Sequence, residues 1–158
     1  MGERSTPVVR GVLTGLAATV VYTWTSTQLK KRATTQDSVQ PIQVAVALAG
    51  APEEGDPARR RGANAVLHWG YGIWGGLLRV LLARRGLSGW RGDLAQLAVF
   101  WGPWRVLALA HKPAQRADRG QRRAALLADF GKHAAYVLTA RFVHDRLAGR
   151  AERRCSDH

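Results

Sequence analysis

The sequence predicts an all-α fold, a membrane four-helix bundle built from two pseudo-repeated helix pairs, with one short non-spanning helix in the first long loop. Three observations predict it. Gly11 to Leu29 and Gly62 to Leu78 carry no charge at all. Dense arginine clusters separate the apolar runs. The polar stripe of Asn64–Arg85 is copied 65 residues later, at Asp129–Arg150.

A chain of 158 residues has room for one domain, here residues 1–158 as a single integral membrane unit. Mean hydropathy is slightly negative, but the arginine-rich loops lower it without touching the apolar runs. Net charge is +13, from 24 Lys+Arg against 11 Asp+Glu, which suits anionic partners, either acidic lipid headgroups or nucleic acid. The lone cysteine, Cys155, excludes an internal disulfide and a cysteine metal site.

The first span is expected at residues 8–29. Nineteen uncharged residues rise about 28 Å, close to the thickness of a bilayer core. A signal peptide is the competitor, but Tyr22 and Trp24 followed by Lys30, Lys31 and Arg32 read as an interface anchor and a stop signal. Gly11 and Gly15 form a small-xxx-small pair that permits close helix contact. Residues 30–62 form the linker. Pro41 opens the apolar piece IQVAVALAG, too short to span, and Pro52, Gly55 and Pro57 then break any helix.

The second span, residues 63–84, follows Arg59, Arg60 and Arg61 and ends at Arg84 and Arg85. His68, Tyr71, Gly72, Gly75, Gly76 and Arg79 share one side at helical spacing. Arg79 lies about one turn from the membrane edge, within snorkelling reach. The third span, residues 92–110, contains Trp101, Trp104 and Arg105, and Pro103 should kink it. Residues 111–123 form a basic loop. The fourth span, residues 126–148, is charged at Asp129, Lys132, Arg141, Asp145 and Arg146, and hydropathy alone does not make it a span. Residues 149–158 are a polar tail.

Sliding the chain by 65 pairs His68 with His133, Tyr71 with Tyr136 and Arg85 with Arg150, giving five identities in 22 pairs where about one or two are expected. Asn64, His68, Tyr71, Gly75 and Arg79 correspond to Asp129, His133, Tyr136, Ala140 and His144. The fourth helix is therefore expected to copy the second, in a parallel repeat whose two His/Tyr stripes face each other.

A glycine-bearing first span, HWGYG in the second, Trp101 in the third and a second His-x-x-Tyr in the fourth resemble the YagU-like group of small, uncharacterised bacterial inner-membrane proteins. His68, Tyr71 and Gly72 match the His-x-x-Tyr-Gly signature, as do His133 and Tyr136; Val137 stands where the second glycine would be. The resemblance implies four spans in the inner membrane, and no reaction.

The first expectation for the stripes is structural, with His68 and His133 bonded to tyrosine hydroxyls across the interface to fix helix register. The second is a proton-linked channel or carrier, with Asp129, His133, Tyr136 and His144 facing His68 and Arg79 as a relay. Metal or haem ligation by two histidines lacks a supporting motif, so no cofactor and no metal are expected, and no catalytic motif points to an enzyme. Anionic headgroups are the expected partners of Lys30, Lys31, Arg32, Arg59, Arg60, Arg61, Arg84 and Arg85, with homo-oligomers through glycine faces a further option. Sequence-specific nucleic-acid binding is not expected, because no base-reading scaffold is visible; a soluble, basic, helical nucleic-acid binder stays the rival class. Loop Lys/Arg are shared nearly evenly between the two sides, so the positive-inside rule sets no orientation.

Overall fold

Thr6 starts the first helix. Its side-chain oxygen accepts from Val9 N–H and its carbonyl from Arg10 N–H, while Pro7 takes the first helical position, where a missing N–H is harmless. The computed structural model describes residues 6–32, 57–110 and 119–156. They form α1 (Pro7–Arg32), α2 (Pro57–Arg84), α3 (Gly89–Ala110) and α4 (Arg119–Ser156), and among the described residues there is no strand. Pro57, expected to break structure, instead opens α2 for the same reason that Pro7 opens α1.

α2 ends in a left-handed glycine. Gly86 has φ 79°, Gly86 N–H donates to Ala83 O at 3.0 Å and Leu87 N–H to Leu82 O at 2.9 Å. That paired closure turns the chain sharply into α3. The helix of α3 runs through Pro103, which is exposed. Residues 119–123 of the expected basic loop belong to α4, and 149–156 of the expected polar tail continue that helix. The short helix expected within IQVAVALAG, and residues 111–118, lie outside the described residues.

Residue pairings set the directions. Gly11 faces Leu77 and Gly76, and Gly15 faces Gly72 and Ile73, so α1 and α2 are antiparallel. Asp93 meets Arg79 while Phe100 meets Tyr71, and Asp93 meets Arg141 while Trp101 meets Asp129, so α3 runs against both α2 and α4. The bundle is therefore up-down-up-down, with α2 and α4 parallel. α1 makes the most extensive contacts, lying between α2 and α4, and α3 closes the opposite side.

The α1–α2 seam is glycine against glycine. A Cβ on Gly76 would strike Gly11 O and Gly15 N, one on Gly72 would strike the Thr19 hydroxyl, and one on Gly15 would lie 2.5 Å from Gly72 O. With no side chains at these four positions the two backbones touch. Behind the seam sits a small core of Ala18, Phe100, Tyr136, Val137 and Ala140, with Tyr22 and Leu97 packed on it.

Among the described residues only α1, over Pro7–Leu29, is long and apolar enough by composition to cross a bilayer, with mean hydropathy 1.2. The other three expected spans do not reach that threshold.

The seam predicts a contrast between glycines. Gly76→Ala should destabilise the protein by about 1–3 kcal/mol through overpacking. Gly70→Ala, where an added methyl meets nothing within 4 Å, should be neutral or stabilising by up to ~1 kcal/mol. Thermal unfolding of the two variants checks this.

Candidate functional site: a polar interior in three levels

The first level is a charge clamp near the α2–α3 turn. Arg79 is 1% exposed, and its Nη1 donates to Asp93 Oδ1 at 2.7 Å. The other oxygen of that carboxylate accepts from Arg141 Nη1 at 3.0 Å. Arg141 Nε lies 3.7 Å from Asp145, which is 3.2 Å from His144 Nδ1. Gly92 makes room for the clamp, since a Cβ there would sit 3.1 Å from Arg79 Nη1. One turn on, Gln96 donates to Gly75 O at 3.0 Å. The expectation that Arg79 snorkels to the membrane edge is corrected: Asp93 offers a closer partner inside the bundle.

The middle level is aromatic. Phe100 stacks between Tyr71, with ring centroids 4.2 Å apart, and Tyr136, at 4.7 Å. Tyr71 donates to Phe100 O and Tyr136 to Gly72 O. A carbonyl already bonded within its helix has a second lone pair for such a donor. Gly75 is what admits the rings, because a Cβ there would lie 2.6 Å from Tyr136 Oη and 2.7 Å from the Phe100 ring.

The third level gathers both histidines on one phenol. The Tyr22 ring lies 5.9 Å from His68 and 5.3 Å from His133. His68 Nε2 is 2.8 Å from Thr23 Oγ1, and that hydroxyl donates its one proton to Thr19 O. His68 must then donate to Thr23, which places its proton on Nε2. His133 Nδ1 lies 2.8 Å from Asp129 O, an acceptor only, so its proton is on Nδ1. Asp129 accepts from Trp101 Nε1 at 2.9 Å and lies 3.3 Å from Lys132. The expected histidine–tyrosine hydrogen bonds are thus corrected. The imidazoles bond a threonine hydroxyl and a backbone carbonyl, and the Tyr71 and Tyr136 hydroxyls reach carbonyls instead, because each ring lies alongside a neighbouring backbone.

The two stripes touch directly where Tyr136 reaches Gly72 and Gly75, and elsewhere they meet through Tyr22 and Phe100. His133, Tyr136 and His144 are buried with Gly72, Gly75, Gly76 and Arg79, whereas His68 and Asp129 are half-buried and Tyr71 is exposed. Arg61, Arg84 and Arg85 are exposed, and the side chains of Lys30, Lys31, Arg32, Arg59 and Arg60 lie outside the described residues. Among the described residues no three His, Cys, Asp or Glu side chains converge as metal ligands would. No family model, curated protein or solved structure matches this chain.

Sequence reasoning missed Asp93, Gln96, Phe100 and Thr23, and it read Tyr22 as an interface anchor, whereas the ring packs on the core beside both histidines. One signal was available: about Gly86 the chain folds back symmetrically, which sets Arg79 opposite Asp93, the lone acidic residue between positions 57 and 117.

Asp93→Asn should destabilise the protein by about 3 kcal/mol, since it strands a buried guanidinium. Tyr136→Phe, which removes one hydroxyl and leaves an acceptor already satisfied within its helix, should cost about 1 kcal/mol. Thermal denaturation measures both, and an inverted order would contradict the clamp.

Proposed function

We propose that this chain is a multi-pass protein of the bacterial inner membrane, with a structural, regulatory or accessory role, in which buried His, Tyr and Arg side chains fix the register of four crossing helices. One observation carries the proposal: the residues are sorted the wrong way round for water. The largest wholly buried side chains are Arg79, Tyr136, Gln96, Thr14 and Thr19. Outside stand Val66, 73% exposed, Leu127, 69%, and Trp24, 64%, with Val20, Leu94, Leu138 and Phe142. In water, Arg and Gln belong outside and Val and Leu inside. In hydrocarbon the preference inverts, because a polar group there needs a protein partner and an aliphatic one does not.

Other features support the same reading. Only 28% of the apolar stretch in α1 is buried, which is little for the enclosed core helix of a water-soluble protein. The glycine seam gives α1 a place within the bundle, which a discarded signal peptide would not have. Of the five charges within residues 126–148, four are paired, Lys132 with Asp129 and Arg141 with Asp93 and Asp145. Thr19, Thr23, Thr27 and Thr139 each donate to the carbonyl four residues back, the usual way a hydroxyl is satisfied in a helix within lipid. The proposed repeat of two helix pairs draws on Gly72 and Val137, Gly75 and Ala140, and Arg79 and His144, all buried at matching positions. The proposed likeness to the YagU-like proteins draws on the His-x-x-Tyr residues alone.

A proton-linked pathway is the second reading. It draws on four buried atoms without a hydrogen-bond partner among the described residues: Arg79 Nε in the clamp, Gln96 Oε1 one turn on, and Arg10 Nε and Thr14 Oγ1 on α1. Such atoms suit an internal water file linking the levels.

Reporter fusions and alkaline extraction test the main reading. The protein should stay in carbonate-washed membranes, with fusions after Lys31 and Arg119 on one side and after Arg91 on the other. Release by carbonate would favour the soluble, nucleic-acid-binding class. In proteoliposomes, proton flux above that of empty vesicles and abolished by His133→Ala would bring the pathway forward; flux at the empty-vesicle level would remove it.

A further inference from the structure

We propose that a groove on the outer flank of α4 binds the phosphate of an anionic phospholipid, a site that rests on the membrane reading above. The groove has a volume of about 710 Å³ and is lined by Leu138, Arg141, Phe142, Asp145, Arg146 and Gly149. Their spacing of three and four residues makes one stripe along the helix.

The chemistry along that stripe is ordered. Leu138 lies level with the tyrosines at the middle of the bundle, and Phe142 follows it, both exposed. Arg141 stands level with Phe142, Arg146 follows one turn on toward the end that holds the clamp, and Gly149 leaves the outer end of the groove without a side chain. Leu138 to Gly149 rises about 16 Å. A phospholipid presents the same order along the membrane normal, acyl chain inward and phosphate outward. Free phosphate would leave the apolar half of the stripe uncovered.

The charges suit an anion. Arg146 rests on the Phe142 ring at 4.8 Å, and no carboxylate among the described residues pairs with it. Arg141 is 42% exposed, so it can meet a headgroup while still holding Asp93. Asp145 is the unfavourable neighbour, but Arg141 and His144 both face it. Arg84, Arg85 and Arg91 are exposed at the same end of the bundle, and the acidic side chains described there are Asp93 and Asp145. A cation near a bilayer surface favours an anionic lipid by about fivefold.

Native mass spectrometry of the full chain tests the site, using detergent micelles supplied with equal phosphatidylglycerol and phosphatidylcholine. Phosphatidylglycerol adducts should exceed phosphatidylcholine adducts by about fivefold. Arg146→Gln, an exposed change with no ion pair to break among the described residues, should bring the ratio near parity. Asp145→Asn should raise it, and Arg91→Gln should leave it unchanged. Equal adducts in the unaltered protein, or a loss in Arg91→Gln as large as in Arg146→Gln, would overturn the site in favour of no lipid preference or a diffuse basic collar. Displacement of the lipid by millimolar inorganic phosphate would overturn it in favour of a free anion. A protein retained in carbonate-washed membranes but without lipid preference loses this site and keeps the membrane reading; one released by carbonate loses both.

Discussion

A charged side chain enclosed between helices needs another group to answer it, and that constraint organises the charged levels of this bundle. Arg79 is tolerable at 1% exposure because Asp93 reaches it at 2.7 Å from the next helix. The same carboxylate then fixes α4 through Arg141. One acidic residue therefore ties three helices together at one level. At the other end Asp129 does similar work, receiving Trp101 from α3 while neutralising Lys132 on its own helix. Between them, tyrosine hydroxyls dock on backbone carbonyls, which no side-chain substitution on the acceptor helix can remove.

Close approach is what lets short polar groups find each other. Gly11, Gly15, Gly72 and Gly76 bring α1 and α2 together at backbone distance. That seam holds Thr23 within reach of His68 and carries Tyr22 to both imidazoles. Gly75 does the same for the second interface by admitting Phe100 and Tyr136. In a bilayer, where apolar surface gives helices little reason to associate, packing and hydrogen bonds of this kind are the main sources of helix association.

The helices and their common polar stripe were legible because both are local. A 3.6-residue period put His68, Tyr71, Gly72, Gly75, Gly76 and Arg79 on one face before any partner was known. The partners were not legible, because they depend on which helix lies across the interface. Hydropathy counted Arg79, Asp93, Arg141 and Asp145 as four separate charges, whereas the clamp joins two cations and two carboxylates whose charges cancel. The histidines were assigned to tyrosines on chemical affinity alone. Their true partners, Thr23 and a backbone carbonyl, follow from rotation of the helices, which spacing does not encode. The boundaries of α2 and α4 extended past the apolar runs because arginine and glutamate are good helix formers whatever solvent surrounds them.

The central claim is that hydrocarbon, not water, covers the outside of these helices. Spin labels placed singly at Val20, Val66 and Leu138 in the reconstituted full-length protein address it most directly, through collision with oxygen, which concentrates in lipid, and with a water-soluble nickel chelate. The account predicts high oxygen and low nickel accessibility at all three positions, with both low at Ala140 inside the bundle. High nickel accessibility at Val20, Val66 and Leu138 would contradict it.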